Sequence, residues 1–322
     1  MKRIMVTGAF GQIGCDLVKK LRQIYSEEAV LATDIRRIDN EACQSGPFKI
    51  LDVTNSTAFF EAAQEHRADT IIHLAALLSA RAEKDPALAW RLNMGGLLSG
   101  LETARELSCQ FFTPSSIAAF GSDTQKRGTP QDTLQRPKTI YGVSKVAGEL
   151  LCDYYYHKFG VDTRGLRFPG LISHSAPPGG GTTDYAVDIY REALVNRSYT
   201  SYIKRGTFLD MMYMPDAIRA IITLMEADSS KLIHRNAFNV SAMSVDPEMI
   251  AASIRRHIPD FILQYDVDPI RQHIAEEWPD SIDTTAAREE WGFDVQYDLE
   301  RMTDDMVMKL MEKLQADKTK IS

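Results

Sequence analysis

The sequence predicts an α/β protein built on a doubly wound parallel sheet, with a smaller, interleaved C-terminal unit. Three observations predict it. Short apolar runs alternate with longer helical patterns through the first half, a glycine triplet falls at the first strand-to-helix junction, and the regularity breaks near residue 170. Parallel neighbours need crossovers long enough to hold a helix, so a chain of βαβ units leaves this alternation in its sequence.

Taken in order, RIMVTGAF reads as a buried strand and IGCDLVKKLRQIY as an amphipathic helix. AVLATD and FKILDV are the next two strands, STAFFEAAQEH is helical and DTIIHLAA is a strand. PALAWRLNMGGLLSGLETAREL is a long helical stretch, after which CQFFTPSS returns to the sheet. Residues 1–170 therefore form the first unit and 171–322 the second, with segments near 207–245 returning to the main sheet. SAPPGGGTTD is a loop by composition. Helical patterns recur at AVDIYREALVN, DAIRAIITLMEA, DPEMIAASIRRHI and LERMTDDMVMKLMEKL, and the final DKTKIS reads as a frayed tail.

Composition excludes several classes. The chain has 322 residues, 44% hydrophobic and 25% charged, ordinary values for a globular protein with a substantial core. A formal net charge of −7 leaves no surplus of Lys and Arg to neutralise phosphates, so no nucleic-acid partner is expected. No apolar run reaches the length of a membrane span, and MKRIMVTGAF lacks the long apolar stretch of a signal peptide. The cysteines Cys15, Cys43, Cys109 and Cys152 are scattered, without metal-ligand spacing. A reduced, cytoplasmic protein with no bound metal is the expectation.

TGAFGQIG sets Gly8, Gly11 and Gly14 three residues apart where a strand gives way to a helix. Glycine is needed where the backbone turns sharply, where it approaches a pyrophosphate, and where helix and strand pack closely. The free N–H groups of the helix start then hold the phosphates. This points to a Rossmann-type sheet binding a dinucleotide. Asp34 ends the second strand, 20 residues beyond Gly14, where a carboxylate accepts the ribose hydroxyls of NAD and repels the extra phosphate of NADP. Arg36 and Arg37 lie close by and keep NADP open as an alternative. Asp52 and Val53 end the third strand, where they could reach the adenine, and Leu74, Ala75 and Ala76 end the fourth, beside the pyrophosphate and ribose.

YGVSK places Tyr141 and Lys145 four residues apart, on one helix face. A free phenol has a pKa of about 10, so to act as a base near neutrality it must fall by roughly three units, or about 4 kcal/mol. A nearby ammonium and a positive nicotinamide ring both favour the phenolate, and Lys145 can also hold the nicotinamide ribose hydroxyls. Ser115 and Ser116 end the CQFFTPSS strand at the carboxyl edge of the sheet, where a hydroxyl can orient a reacting oxygen toward Tyr141. A surface Tyr–Lys pair and a polar strand end would explain the same residues taken singly.

With these motifs in hand, the chain resembles the extended short-chain dehydrogenase/reductase superfamily, which also contains nucleotide-sugar epimerases and dehydratases. TGAFGQIG, Asp34, HLAA, Asn93, PSSIAAFG, YGVSK and RFPG follow that family's order over nearly the whole chain. The resemblance selects Ser116 over Ser115, makes Asn93 a structural and water-ordering residue, and adds Gln12, Ile13, Asn93, Tyr141, Lys145 and Phe168 to the cofactor set. Within the superfamily the chain is similar to the short-chain L-threonine 3-dehydrogenase branch, through LLSARAEKDP, RFPGLIS, PPGGGTTDYAVDIY, FLDMMYMPDAIRA and EEWPDSID.

That likeness implies that Ser79, Ser116, Tyr141, Thr182, Thr183 and Trp278 surround the amino acid L-threonine. Hydroxyls and backbone N–H groups would hold its carboxylate and Trp278 would close the site, although a C-terminal Trp is as readily ordinary core. The Pro and Gly residues around 177–181 suggest a loop that closes over substrate. The resemblance also implies a homodimer, for which Leu97, Leu98, Leu101, Leu150, Leu151 and Tyr154 are candidate contacts, with packing inside one chain the alternative. A nucleotide-sugar epimerase or dehydratase on the same scaffold is the rival function, and an NAD-sensing regulator without catalysis a third.

Overall fold

A computed structural model describes residues 1–37, 45–175 and 181–321, with side chains described through residue 316. The first half runs β1 (Ile4–Thr7), α1 (Gln12–Tyr25), β2 (Val30–Asp34), β3 (Phe48–Ile50), α2 (Ser56–His66), β4 (Thr70–His73), α3 (Ser79–Ala82), α4 (Pro86–Leu107), β5 (Gln110–Ser116), α5 (Ile140–Phe159) and β6 (Thr163–Phe168). The second runs β7 (Gly170–Ile172), α6 (Tyr185–Asn196), β8 (Ser198–Ser201), β9 (Leu209–Tyr213), α7 (Met214–Glu226), β10 (Phe238–Asn239), β11 (Met243–Val245), α8 (Pro247–Arg255), β12 (Ile262–Tyr265), α9 (Pro269–Glu277), α10 (Thr285–Trp291) and α11 (Leu299–Ile321).

The central sheet has seven strands in the order β10-β6-β5-β4-β1-β2-β3, and every neighbouring pair is parallel. It is the doubly wound α/β sheet that the sequence predicts. Strands buried on both faces are largely apolar, and β1 and β4 are buried at every position, with Thr7 Oγ1 and His73 Nδ1 hydrogen-bonded to each other at 2.9 Å. Leu17, Val18 and Leu21 of α1 join Ile218 and Ile221 of α7 in the core on one face. Phe59 of α2, Leu97 and Leu101 of α4 and Cys152 of α5 pack on the other. The order of strands reverses between β1 and β4, which opens a crevice at their carboxyl ends, where ligands bind in such sheets.

Helix starts follow their capping residues. Asn55 accepts from Ala58 N at the head of α2, Asp85 from Leu88 N at the head of α4, and Thr139 from Gly142 N at the head of α5. The last of these places Tyr141 in the first turn of its helix.

Some boundaries differ from the sequence expectation. The third strand stops at Ile50 rather than Val53, because Asp52 Oδ1 accepts from Thr54 N and Oγ1 and turns the chain locally. The final helix continues to Ile321, through the stretch expected to fray. Of the segment 207–245, β10 joins the seven-stranded sheet and α7 covers it, whereas β9 pairs with β7 and β11 in a separate three-stranded sheet. A third core, with Tyr185, Tyr190, Ile250 and Met306, binds the C-terminal helices together. Among the described residues no helix is long and apolar enough to cross a membrane, and no cluster of His, Cys, Asp and Glu could hold a metal ion.

Candidate active site

The glycine turn is built by close approach. Gly8 has φ +66°, and a Cβ added there would lie 2.7 Å from Ala75 N. A Cβ on Gly14 would lie 2.3 Å from Gly8 O, so α1 can sit this close to β1 only with glycine at that position. Asp34 Oδ2 accepts from Phe10 N at 3.0 Å and ties the turn to the end of β2. Among the described residues no side chain caps the start of α1, so its first N–H groups face the crevice and favour an anion. This cradle fits the pyrophosphate of a dinucleotide.

Tyr141 and Lys145 stand on one face of α5, opposite Ser116 at the end of β5. Lys145 Nζ lies 5.3 Å from the centroid of the Tyr141 ring and donates to Pro114 O at 2.7 Å. Burial pushes the Tyr141 phenol up to about 12, and the Ser116 hydroxyl beside it opposes that shift by favouring the phenolate. Burial also pulls the Lys145 ammonium down to about 8, opposed chiefly by the Glu149 carboxylate one turn along the helix. The Ser115 hydroxyl points the other way and donates to Glu149. Glu149 is further held by Arg167, at 3.0 Å (Nε) and 2.9 Å (Nη2), and by Gln135 Nε2 at 2.7 Å.

One cleft of about 1050 Å³, counting its open mouth, joins these parts. Gly8, Gly11, Gln12, Ile13 and Gly14 line one side, with Leu74, Ala76 and Phe168 beside them. Ser116, Tyr141 and Lys145 occupy the middle, and Ser79, Thr182, Thr183 and Trp278 form the far end. Among the described residues, Thr182 Oγ1 is buried without a protein hydrogen-bond partner, and Thr182 lines this end of the cleft.

Other expected residues lie apart. Asp34 is outside the cleft wall but stays joined to the glycine turn through Phe10 N, whereas Asp52 and Val53 follow β3 at the sheet edge, with Asp52 engaged in its own turn. Ala75 and Asn93 line a smaller cavity beneath Lys145. Asn93 ties the loop after β4 in place, accepting from Leu77 N at 2.7 Å and donating to Leu77 O at 3.2 Å and Ser144 Oγ at 3.3 Å. Most of the stretch expected to close over substrate falls outside the described residues.

The sequence reading missed Asp184, which lines the far end of the cleft and accepts from Gly181 N at 2.8 Å. With Lys145 it supplies the charged side chains in the cleft wall among the described residues. Its signal was available, since it directly follows Thr182 and Thr183 in GGGTTDYA.

A glycine cradle at the switch point of a parallel sheet, opening onto a buried tyrosine, lysine and serine, defines an NAD-dependent oxidoreductase of the short-chain type. The chain belongs to the NAD dependent epimerase/dehydratase family, whose model matches residues 4–241. It is 60% identical over 316 residues to an uncharacterized epimerase/dehydratase of Staphylococcus haemolyticus, covering 98% of this chain and 99% of that one. Among solved structures it is similar to the L-threonine dehydrogenase of Clostridium difficile, at 63% identity and a TM-score of 0.96, covering 97% of this chain and 98% of that one. The holo form of a GalE-like L-threonine dehydrogenase from Cupriavidus necator matches at 46% identity and a TM-score of 0.93, covering 96% of this chain and 99% of that one.

Proposed function

We propose that this protein is an NAD-dependent L-threonine 3-dehydrogenase that oxidises the side-chain hydroxyl of L-threonine to give 2-amino-3-oxobutyrate. The observation that carries the reading is one cleft joining the glycine cradle and the Tyr141–Lys145–Ser116 group to a small walled end bearing Thr182, Asp184 and Trp278. The similarity to threonine dehydrogenases over nearly the full chain supports it.

NAD, when bound, supplies the acceptor for the two electrons and the hydrogen leaving the substrate carbon. Gly8, Gly11, Gln12, Ile13 and Gly14 hold the dinucleotide with Leu74, Ala76 and Phe168, while Asp34 stands toward its ribose. Tyr141 takes the proton from the substrate hydroxyl. Ser116 holds that oxygen, and Lys145 favours the phenolate by its charge. Thr182, Thr183 and Ser79 bind the carboxylate of the amino acid, and Asp184 offers its ammonium a counter-charge. Trp278 closes the site against water.

Incubation with NAD and L-threonine, its stereoisomers, L-serine and UDP-sugars, read by NADH absorbance and product analysis, tests this reading. NADH formation with L-threonine is the expected result. Sugar conversion without it would instead assign an epimerase or dehydratase. Tight NADH binding with no turnover of any alcohol would assign a sensor.

The same proposal includes a homodimer and a cytoplasmic place in threonine catabolism. Leu97 and Leu101 are buried in their own chain, but Leu98, Leu150 and Tyr154 remain exposed on α4 and α5 and are the contacts we assign to a partner copy. A light-scattering mass of one chain would remove the dimer. We likewise treat 1–170 as the dinucleotide domain and 171–322 as the substrate domain.

A further inference from the structure

We propose that Lys126 is a positioning residue that fixes Trp278 at the amino-acid end of the cleft, so that substrate affinity depends on it while dinucleotide affinity does not. The inference rests on the functional reading above for the identity of the substrate, but not for the geometry.

Trp278 is the C-cap residue of α9 and leaves the helix in an extended conformation, with its side chain buried and in the cleft wall. The last carbonyls of a helix lack internal partners and carry the negative end of its dipole. Lys126 meets them. Its ammonium is half-buried and donates to Glu276 O and, at 2.6 Å, to Trp278 O. Burial lowers the pKa of this ammonium, and the nearby Asp280, Glu277 and Glu276 carboxylates oppose that shift.

The backbone of the same loop grips the chain just beyond Trp278. Asp280 N donates to Lys126 O at 2.8 Å, Thr129 N to Ser281 O at 3.0 Å, and Asp283 N to Thr129 O at 2.9 Å. That loop lies between Ser116 and Tyr141 in the chain, so the wall of the substrate site and the two catalytic side chains hang on one frame. The Lys126 side chain is the part of the grip that acts on Trp278 itself. Its removal frees two carbonyls at the helix end while the backbone pairing of 280–283 persists.

The test labels the full chain with 5-fluorotryptophan and follows the three tryptophans, Trp90, Trp278 and Trp291, by fluorine NMR, assigning the Trp278 signal with Trp278→Phe. Lys126→Met should broaden or shift the Trp278 signal toward its solvent-exposed position and leave unchanged the signal of Trp291, which packs in the core between α1 and α7. In the same variant KM for L-threonine should rise roughly tenfold, equivalent to about 1.4 kcal/mol. NADH affinity, measured by fluorescence titration, should stay at the parent value, and Lys126→Arg should restore most of the loss. An unmoved Trp278 signal with parent KM overturns the proposal, and so does a parallel loss of NADH affinity. If the parent turns over no L-threonine, a Trp278-only spectral change still supports the positioning role while the substrate assignment fails.

Discussion

Lys145 Nζ lies 5.3 Å from the centre of the Tyr141 ring and is anchored by the Pro114 carbonyl, so an ammonium is held beside a phenol that burial keeps neutral. In the protein alone the phenol is pushed up to about 12 and the ammonium pulled down to about 8, because desolvation penalises each charged form. A phenolate–ammonium pair is neutral as a unit, so each charge offsets the other's burial. Bringing the phenol from about 12 to near neutrality requires stabilisation on the order of 7 kcal/mol. Ser116 contributes in the same direction, and a positive nicotinamide ring, when bound, would add to it.

Tyr141→Phe should therefore lower kcat by about 10²–10⁴-fold and leave NADH affinity unchanged. The rate in the parent should fall on acidification as the phenolate is protonated. Lys145→Met removes the charge that favours the phenolate, so the acidic limb of the kcat/KM profile should move to higher pH. A limb that stays in place would separate Lys145 from the ionisation of Tyr141.

Behind this pair lies an ion pair that is almost wholly buried, Glu149 with Arg167, at 2.9 Å. Removing one member strands the other without water, a change that costs about 3–5 kcal/mol, whereas replacing both by apolar side chains of similar size is often neutral. Glu149→Met and Arg167→Met should each lower stability to urea by that amount, and the double variant should recover most of it. Additive losses in the double variant would mean that the two charges do not depend on each other.

The glycine cradle and the Tyr–Lys face are legible in the sequence because their geometry is local: three glycines at one turn, two side chains one helical turn apart. The division of labour between Ser115 and Ser116 is not local. Ser115 is paired in register with Arg167 on β6, and both reach Glu149 on α5, so its hydroxyl is committed by residues 34 and 52 positions away. Only the resemblance to a family could choose between the two serines. Asp34 illustrates the converse. Its place at the strand end is readable from spacing, but its bond to Phe10 N, which makes it part of the turn, is not.

Gly14 offers a steric prediction. Its Cβ would come within 2.3 Å of the Gly8 carbonyl, a backbone atom that cannot step aside without opening the cradle. Gly14→Ala should abolish NADH binding in a fluorescence titration while far-ultraviolet circular dichroism retains the parent fold. Retained affinity would show that α1 can shift outward and still hold the pyrophosphate.

Asp210 yields a pH dependence that does not involve catalysis. This buried carboxyl on β9 accepts from Ser241 Oγ at 2.7 Å and from Ile282 N at 2.6 Å, and burial raises it to about 7. The ordinary value is 3.8, so between these limits the folded state holds a proton that the unfolded chain releases. Its contribution to stability is thus fully present below about pH 4 and is lost as pH rises through 7, a swing of up to about 4 kcal/mol. Asp210→Asn keeps the shape and most of the hydrogen bonding but cannot ionise. Urea midpoints measured between pH 4 and 8 should therefore fall less steeply in this variant than in the parent, and identical slopes would mean that Asp210 ionises in its buried site at little cost.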